Sequence, residues 1–304
     1  MNRNITEFLK LPESVRVPYF GGKWDCFLRE RENKSILAEK LPAQPLNREP
    51  RGEKVTVSLT SYPARIPFVH LAIKSLMLQT YKPDRILLWL AEEQFPDKML
   101  PESLTALEAY GLEICWTNDL YGHKKYFYPV KEQQPNEVVI TYDDDLIYSH
   151  RSIERLMNTH SRYPDCLVCE RGQTLTPEHL DNPGRWKTLS SVGVKTPTYS
   201  MNPSPGGGCL IPYGAFYEDA GKEAVIRDLA YKNDDLWYMF MCAQNGTRMV
   251  KTRKYHRTFS PITGSQEEQM AFENVEGNRN AVIMDRLREA YPAAWQRILT
   301  DKDD

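Results

Sequence analysis

The chain has 304 residues, with 39 lysines and arginines against 41 aspartates and glutamates, giving a formal net charge of -2. That balance argues against a dedicated nucleic-acid binder, which carries a basic surplus. A content of 41% hydrophobic and 11% aromatic residues excludes a disordered chain.

A chain of this length buries a core without covalent staples. The cysteines, at 26, 115, 166, 169, 209 and 242, are scattered. Cys166 and Cys169 form a lone C-x-x-C with no second pair at zinc-site spacing, so they read as strand packing in a reducing compartment. The N-terminus carries no apolar signal-peptide core, and no stretch approaches about 18 apolar residues. The expectation is a cytoplasmic protein with no transmembrane segment.

Residues 1–53 are rich in Pro, Arg and Glu with broken periodicity, and are expected to form an extension packed on the main domain. From Lys54 a pattern begins. Val55 to Thr60 is a β-branched strand, and Val69, Ala72, Ile73, Leu76 and Met77 follow at helical spacing. Ile86 to Leu90 is a continuous apolar run, as in a strand covered on both faces. Pro101 to Tyr110 predicts a short helix stopped by Gly111, and Leu112 to Trp116 a third strand with Cys115 buried in it. A Tyr/Lys-rich helical segment leads to a fourth strand, Val138 to Tyr142.

The later half is less regular. It predicts a helix over Ser152 to His160, strand-like pieces around Leu167 and Leu210, and a helix over Asp234 to Gln244. A polar closing helix is expected between Glu267 and Leu299. Strands alternating with helices imply right-handed βαβ units, hence an α/β fold with a mostly parallel sheet flanked by helices. The expected division is residues 54–265 as one domain, with halves 54–150 and 151–265, followed by a helical segment over 266–304.

In such sheets, ligands bind beyond the carboxyl ends of the strands. That rule selects Thr60 to Arg65, Ala91 to Glu93, Asn118–Asp119 and the triplet Asp143-Asp144-Asp145. Three adjacent carboxylates between apolar flanks repel one another unless cations or donors compensate. Alternation along an extended chain places Asp143 and Asp145 on one side, where a hard divalent ion can be held with waters and phosphate oxygens. A solvated acidic turn is the plain alternative. An EF-hand is excluded, because no Gly or further oxygen ligands follow at the required offsets.

An apolar strand ending in such a triplet resembles the metal and nucleotide-sugar site of GT-A-fold glycosyltransferases. Further pieces fit in order: Ser61-Tyr62-Pro63-Ala64-Arg65, Asp119 before Lys124-Lys125-Tyr126-Phe127-Tyr128-Pro129, Pro205-Gly206-Gly207-Gly208-Cys209, and Asn233-Asp234-Asp235-Leu236-Trp237. The set is similar to bacterial enzymes that build capsule and lipopolysaccharide chains, including the N-acetylglucosamine-adding transferases of heparosan-type capsules. The likeness spans roughly residues 54 to 260.

The resemblance implies transfer of a hexosyl or N-acetylhexosaminyl group from a nucleotide-sugar donor, a UDP-sugar foremost, with Mn2+ or Mg2+. The acceptor would be an oligosaccharide or lipid-linked glycan in surface polysaccharide synthesis, at the inner face of the plasma membrane. Asp145 would be the direct metal ligand, Asp143 would reach metal or ribose, and Asp144 would complete the nucleotide site. His256 would be a third metal ligand. Thr60, Ser61 and Arg65 would contact the nucleotide, Asp119 the base or ribose, and Lys124 or Lys125 the phosphates. Gly207 and Gly208 would let backbone approach the sugar. Asp235 would take the acceptor hydroxyl's proton, with Asp234 beside it at a helix N-terminus.

Two other readings stay open. Asp143-x-Asp145 after an apolar strand can imitate the nucleophile pair of HAD-like phosphohydrolases, although it stands on the fourth strand and no Gly-Thr follows. A non-catalytic carbohydrate or nucleotide-sugar binder would not need the second carboxylate pair, Asp234-Asp235.

Overall fold

The computed structural model describes residues 31, 33–174, 196–252, 259–262, 265 and 279–301. The chain divides into two compact units, Met1–Lys40 and Leu41–Asp304. In the smaller unit, residues 33–38 are helical.

In the larger unit, the first strands are β1 (Lys54–Thr60), β2 (Arg85–Ala91), β3 (Leu112–Thr117) and β4 (Glu137–Tyr142). Val55 to Leu59 and Ile86 to Ala91 are buried without alternation, because helices cover both faces of the sheet. Helix α1 (Ile66–Met77) follows β1 and buries Val69, Ala72, Ile73, Leu76 and Met77. The short α2 (Glu102–Thr105) continues as a 3-10 turn to Tyr110, and Gly111 ends it at φ 99°. Helix α3 (Lys124–Glu132) lies between β3 and β4.

The later strands are β5 (Leu146–Tyr148), β6 (Leu167–Cys169), β7 (Gly172–Thr174), β8 (Met201–Pro203), β9 (Gly207–Ile211), β10 (Met249–Lys251) and β11 (Phe259–Pro261). Seven strands form the central sheet in the order β10-β6-β9-β4-β1-β2-β3. The pairs β1/β2, β1/β4, β2/β3 and β10/β6 are parallel, while β9 runs antiparallel to both β4 and β6. The carboxyl ends of β1 to β4, β6 and β10 therefore share one edge. The strand order steps outward from β1 to β3, then resumes on the other side at β4. In sheets of this kind ligands bind where the order reverses, here beyond the carboxyl ends of β1 and β4.

Helix α4 (Ser152–His160) keeps its expected bounds. After α5 (Glu223–Leu229), helix α6 (Asp234–Asn245) is buried continuously from Leu236 to Ala243. It packs in one apolar cluster with Met201, Cys209, Met284, Leu287 and Ile298. The closing segment is two helices, α7 (Arg279–Ala290) and α8 (Pro292–Thr300), because Pro292 cannot continue a helix and instead starts the next one. Cys115 is only half-buried, since β3 is an edge strand with one neighbour. Cys166 and Cys169 are buried, and among the described residues no helix is long and apolar enough to cross a membrane.

Candidate active site

At the end of β1, the Thr60 hydroxyl donates to the Trp89 carbonyl at 2.9 Å and is thereby tied into the sheet. Ser61 and Arg65 turn the other way. Ser61 Oγ donates to Asp144 Oδ2 at 2.5 Å. Arg65 Nη1 lies 3.2 Å from Asp144 Oδ1 and 2.6 Å from Asp145 Oδ2. One buried guanidinium thus compensates two acids of the triplet. Burial pushes the Asp144 carboxyl up to about 7, even though Arg65 and the Ser61 hydroxyl pull it down.

At the end of β3, Asp119 is buried and its carboxylate is already engaged. Oδ1 accepts from the Tyr121 amide at 2.9 Å and pairs with Lys124, and Oδ2 accepts from Gln94 Nε2 at 3.1 Å. The Asp119 amide donates to Glu93 Oε1 at 3.1 Å, and its carbonyl accepts from Arg227 Nη2 at 2.8 Å. Asp119 therefore shapes the loop that opens α3.

Lys124 and Lys125 are both buried. Lys125 Nζ lies 2.8 Å from Asp143 Oδ1 and 2.8 Å from Asp234 Oδ2. The two carboxylates hold the Lys125 ammonium charged against its burial, whereas burial outweighs Asp119 at Lys124 and lowers its pKa. The first turn of α3 thus sends adjacent cations to different acids.

The Gly206 to Gly208 run lies against the triplet. Tyr148 donates to the Gly206 carbonyl at 2.6 Å and accepts from the Asp143 amide at 2.8 Å. A Cβ on Gly206 would fall 1.6 Å from Asp143 Oδ2, so only glycine lets the chain pass. Gly207 pairs with Tyr142, at a register shift between Thr141 and Tyr142. Gly208 has φ +98°, where an L side chain is strained.

At the start of α6, Asn233 is the cap: its Oδ1 accepts from the Leu236 amide at 2.9 Å. Asp234 is released from capping and pairs with Lys125, which together with His123 lowers its pKa against burial. Among the described residues no ion pair to Asp235 is present. Burial, and then the charge of Asp234, push its carboxyl up to about 8, with Lys125 opposing.

Asp143, Asp144, Asp145, Ser61, Arg65, Lys125, Asp234 and the Gly206 to Gly208 run thus meet at one place. Thr60, Asp119 and Lys124 lie along the same edge with their polar atoms engaged. His256 lies outside the described residues. Sequence reasoning did not single out Tyr148, Gln94 or Glu170. The buried Glu170 accepts from Arg155 Nε at 2.6 Å and Ser152 Oγ at 2.7 Å, and Ser152 also meets the Tyr142 hydroxyl at 2.9 Å. Applying the strand-end rule to Cys169 would have found Glu170.

Among the described residues no group of three or more metal-binding side chains is present. The side chains of Asp143 and Asp145 remain 43% and 16% exposed. Hard carboxylates are the ligand type of a small divalent cation that takes its remaining ligands from phosphate and water, and here Lys125 and Arg65 engage one oxygen of each.

No protein-family model matches the chain, and no curated protein matches its sequence. Among solved structures, the chain aligns with the mannosyltransferase PcManGT from Pyrobaculum calidifontis in complex with GDP-Man and Mn2+, at 13% identity over 89% of this chain and 81% of that one, with a TM-score of 0.42. It aligns with S. aureus TarS 1-349 in complex with UDP-GlcNAc at 12% identity and TM-score 0.45, over 75% of this chain and 65% of that one, less than two thirds of its length. A 4-diphosphocytidyl-2C-methyl-D-erythritol synthase from Anaerococcus prevotii aligns at 15% identity and TM-score 0.43, over 75% of this chain and 100% of that one. At these scores, neither the activities nor the ligands of those proteins pass to this chain.

Proposed function

We propose that the protein is a GT-A-fold, divalent-metal-dependent glycosyltransferase that moves a hexosyl or N-acetylhexosaminyl group from a UDP-sugar to a glycan acceptor of a surface polysaccharide. The observation that carries this reading is the union of the Asp143 to Asp145 triplet with Ser61 and Arg65 on one side and Lys125 and Asp234 on the other. Departure of a nucleoside diphosphate builds negative charge on its phosphate, and fixed cations aimed there lower the barrier.

Asp143 and Asp145 would hold Mn2+ or Mg2+, which when bound supplies charge neutralisation at the diphosphate. Arg65, 2.6 Å from Asp145, holds that carboxylate at the crevice and carries positive charge there. Ser61 fixes Asp144, so that the triplet keeps one conformation as donor enters. Asp235 accepts the acceptor hydroxyl's proton at its carboxylate. Its raised pKa makes it a stronger base than an ordinary aspartate.

The phosphohydrolase alternative requires an aspartate open to in-line attack on phosphorus. Asp143 follows β4 rather than the first strand, and no Gly-Thr follows it, which disfavours that chemistry. The experiment is incubation with a panel of nucleotide sugars and Mn2+. Slow release of nucleoside diphosphate from one donor supports the proposal. Generic phosphatase activity, or binding without turnover, would overturn it in favour of the other readings.

A further inference from the structure

Lys124 and Lys125 occupy the first turn of α3, where the helix dipole disfavours cations. Burying both there requires compensating acids. Lys124 is matched by one carboxylate, Asp119. Lys125 is matched by two, from opposite sides of the site: Asp143 in the loop after β4, and Asp234 at the start of α6. Both distances are 2.8 Å, and the lysine side chain is only 5% exposed.

The Asp234 carboxylate lies beside Gly122, where a Cβ would fall 3.2 Å from Oδ2. The Asp143 carboxylate lies beside Gly206, and its backbone amide donates to the Tyr148 hydroxyl. One ammonium group therefore serves two acids, and whatever competes for one of them changes its hold on the other.

We propose that Lys125 is a positioning residue that couples the two halves of the site, its charge shared between Asp143 and Asp234 so that cation binding at Asp143 passes the lysine to Asp234. The inference rests on the glycosyltransferase reading for what binds at Asp143. Loading the donor side then neutralises Asp234 more completely, next to the acid assigned to the acceptor. By linkage the coupling is reciprocal: a change at Asp234 alters cation affinity at Asp143.

The test is a double-mutant cycle read by direct Mn2+ titration, following free Mn2+ by its paramagnetic resonance signal, with melting curves to confirm folding. Asp234→Asn leaves Lys125 to Asp143 alone and weakens Mn2+ binding about tenfold. In the Lys125→Met background, the same Asp234→Asn change has less than about a twofold effect, because the shared cation is gone. Lys125→Met alone binds Mn2+ at least as tightly as the native protein, and Lys125→Arg stays close to native. If Asp234→Asn does not fold, the Lys125 variants decide, since weakened Mn2+ binding in Lys125→Met contradicts sharing. An equal effect of Asp234→Asn in both backgrounds overturns the coupling alone. A native protein that binds no Mn2+ overturns both the coupling and the metal-dependent reading.

Discussion

Ser61 Oγ lies 2.5 Å from Asp144 Oδ2, so the residue that follows β1 fixes the middle acid of the triplet that follows β4. The two strands are parallel neighbours, and the contact ties their carboxyl ends together. Arg65 completes the tie by pairing with Asp144 and Asp145 together. Removing this buried guanidinium takes away the cation that both carboxylates share. Arg65→Met should therefore destabilise the fold by about 3–5 kcal/mol, read as a lower midpoint in denaturant. Ser61→Ala should cost less, about 1–3 kcal/mol, as loss of one hydrogen bond to a charged group. Equal stability of Arg65→Met and the native protein would show that the pairing carries no energy.

Gly206 is the most constrained small residue at the site. Gly206→Ala places a Cβ 1.6 Å from Asp143 Oδ2, so either the carboxylate or the backbone must move. Misplacement of a reacting-site group by about 1 Å can reduce rate about a hundredfold. Turnover in Gly206→Ala should fall by that order while the protein remains folded by circular dichroism. Native turnover would mean that Asp143 has no positional role.

Asp235 carries the proton-transfer assignment. Its carboxyl, pushed up to about 8, is the reactive base only when ionised, so transfer should rise with pH and level off above about 8. Asp235→Asn should lower transfer roughly a hundred- to ten-thousandfold and remove that rise, with nucleotide binding retained. A native-like pH profile in the variant would remove Asp235 from the chemistry.

Much of this was legible in the sequence. Strands β1, β2 and β4 and helices α1, α4 and α6 follow from apolar pattern, because each buries apolar side chains at the expected spacing, and Gly246 stops α6. The triplet stood out because clustered acids between apolar strands need a reason. What periodicity could not reveal were the long-range ion pairs. Lys124 and Lys125 are adjacent and identical in type, yet the turn of α3 sends one to Asp119 and the other to Asp143 and Asp234. Tyr148 and Glu170 were hidden for a similar reason, since their polar atoms matter only once β9 and α4 fold against β4. The glycine run pointed toward a close approach, and the neighbour proved to be Asp143 itself.

Glu170 gives a test of stability apart from catalysis. Burial pushes its carboxyl from 4.5 up to about 7, although Arg155 and Ser152 oppose the shift. The folded state therefore favours the protonated acid. Its contribution is full below about pH 4.5 and is lost as pH rises through about 7, a change on the order of 3 kcal/mol. Glu170→Gln should lack this dependence, so its stability relative to the native protein should increase across that window. Parallel stability–pH curves for the two proteins would contradict the assignment.

The central claim is that the triplet acts on a nucleotide-sugar donor through a divalent ion held at Asp145. The most direct measurement is nucleoside diphosphate release from the turned-over donor, by native protein with Mn2+, by native protein in excess chelator, and by Asp145→Ala with Mn2+. The account predicts turnover in the first case, its loss in the second, and a rate at least about a hundredfold lower in the third. Full turnover in excess chelator, or native turnover by Asp145→Ala, would contradict it.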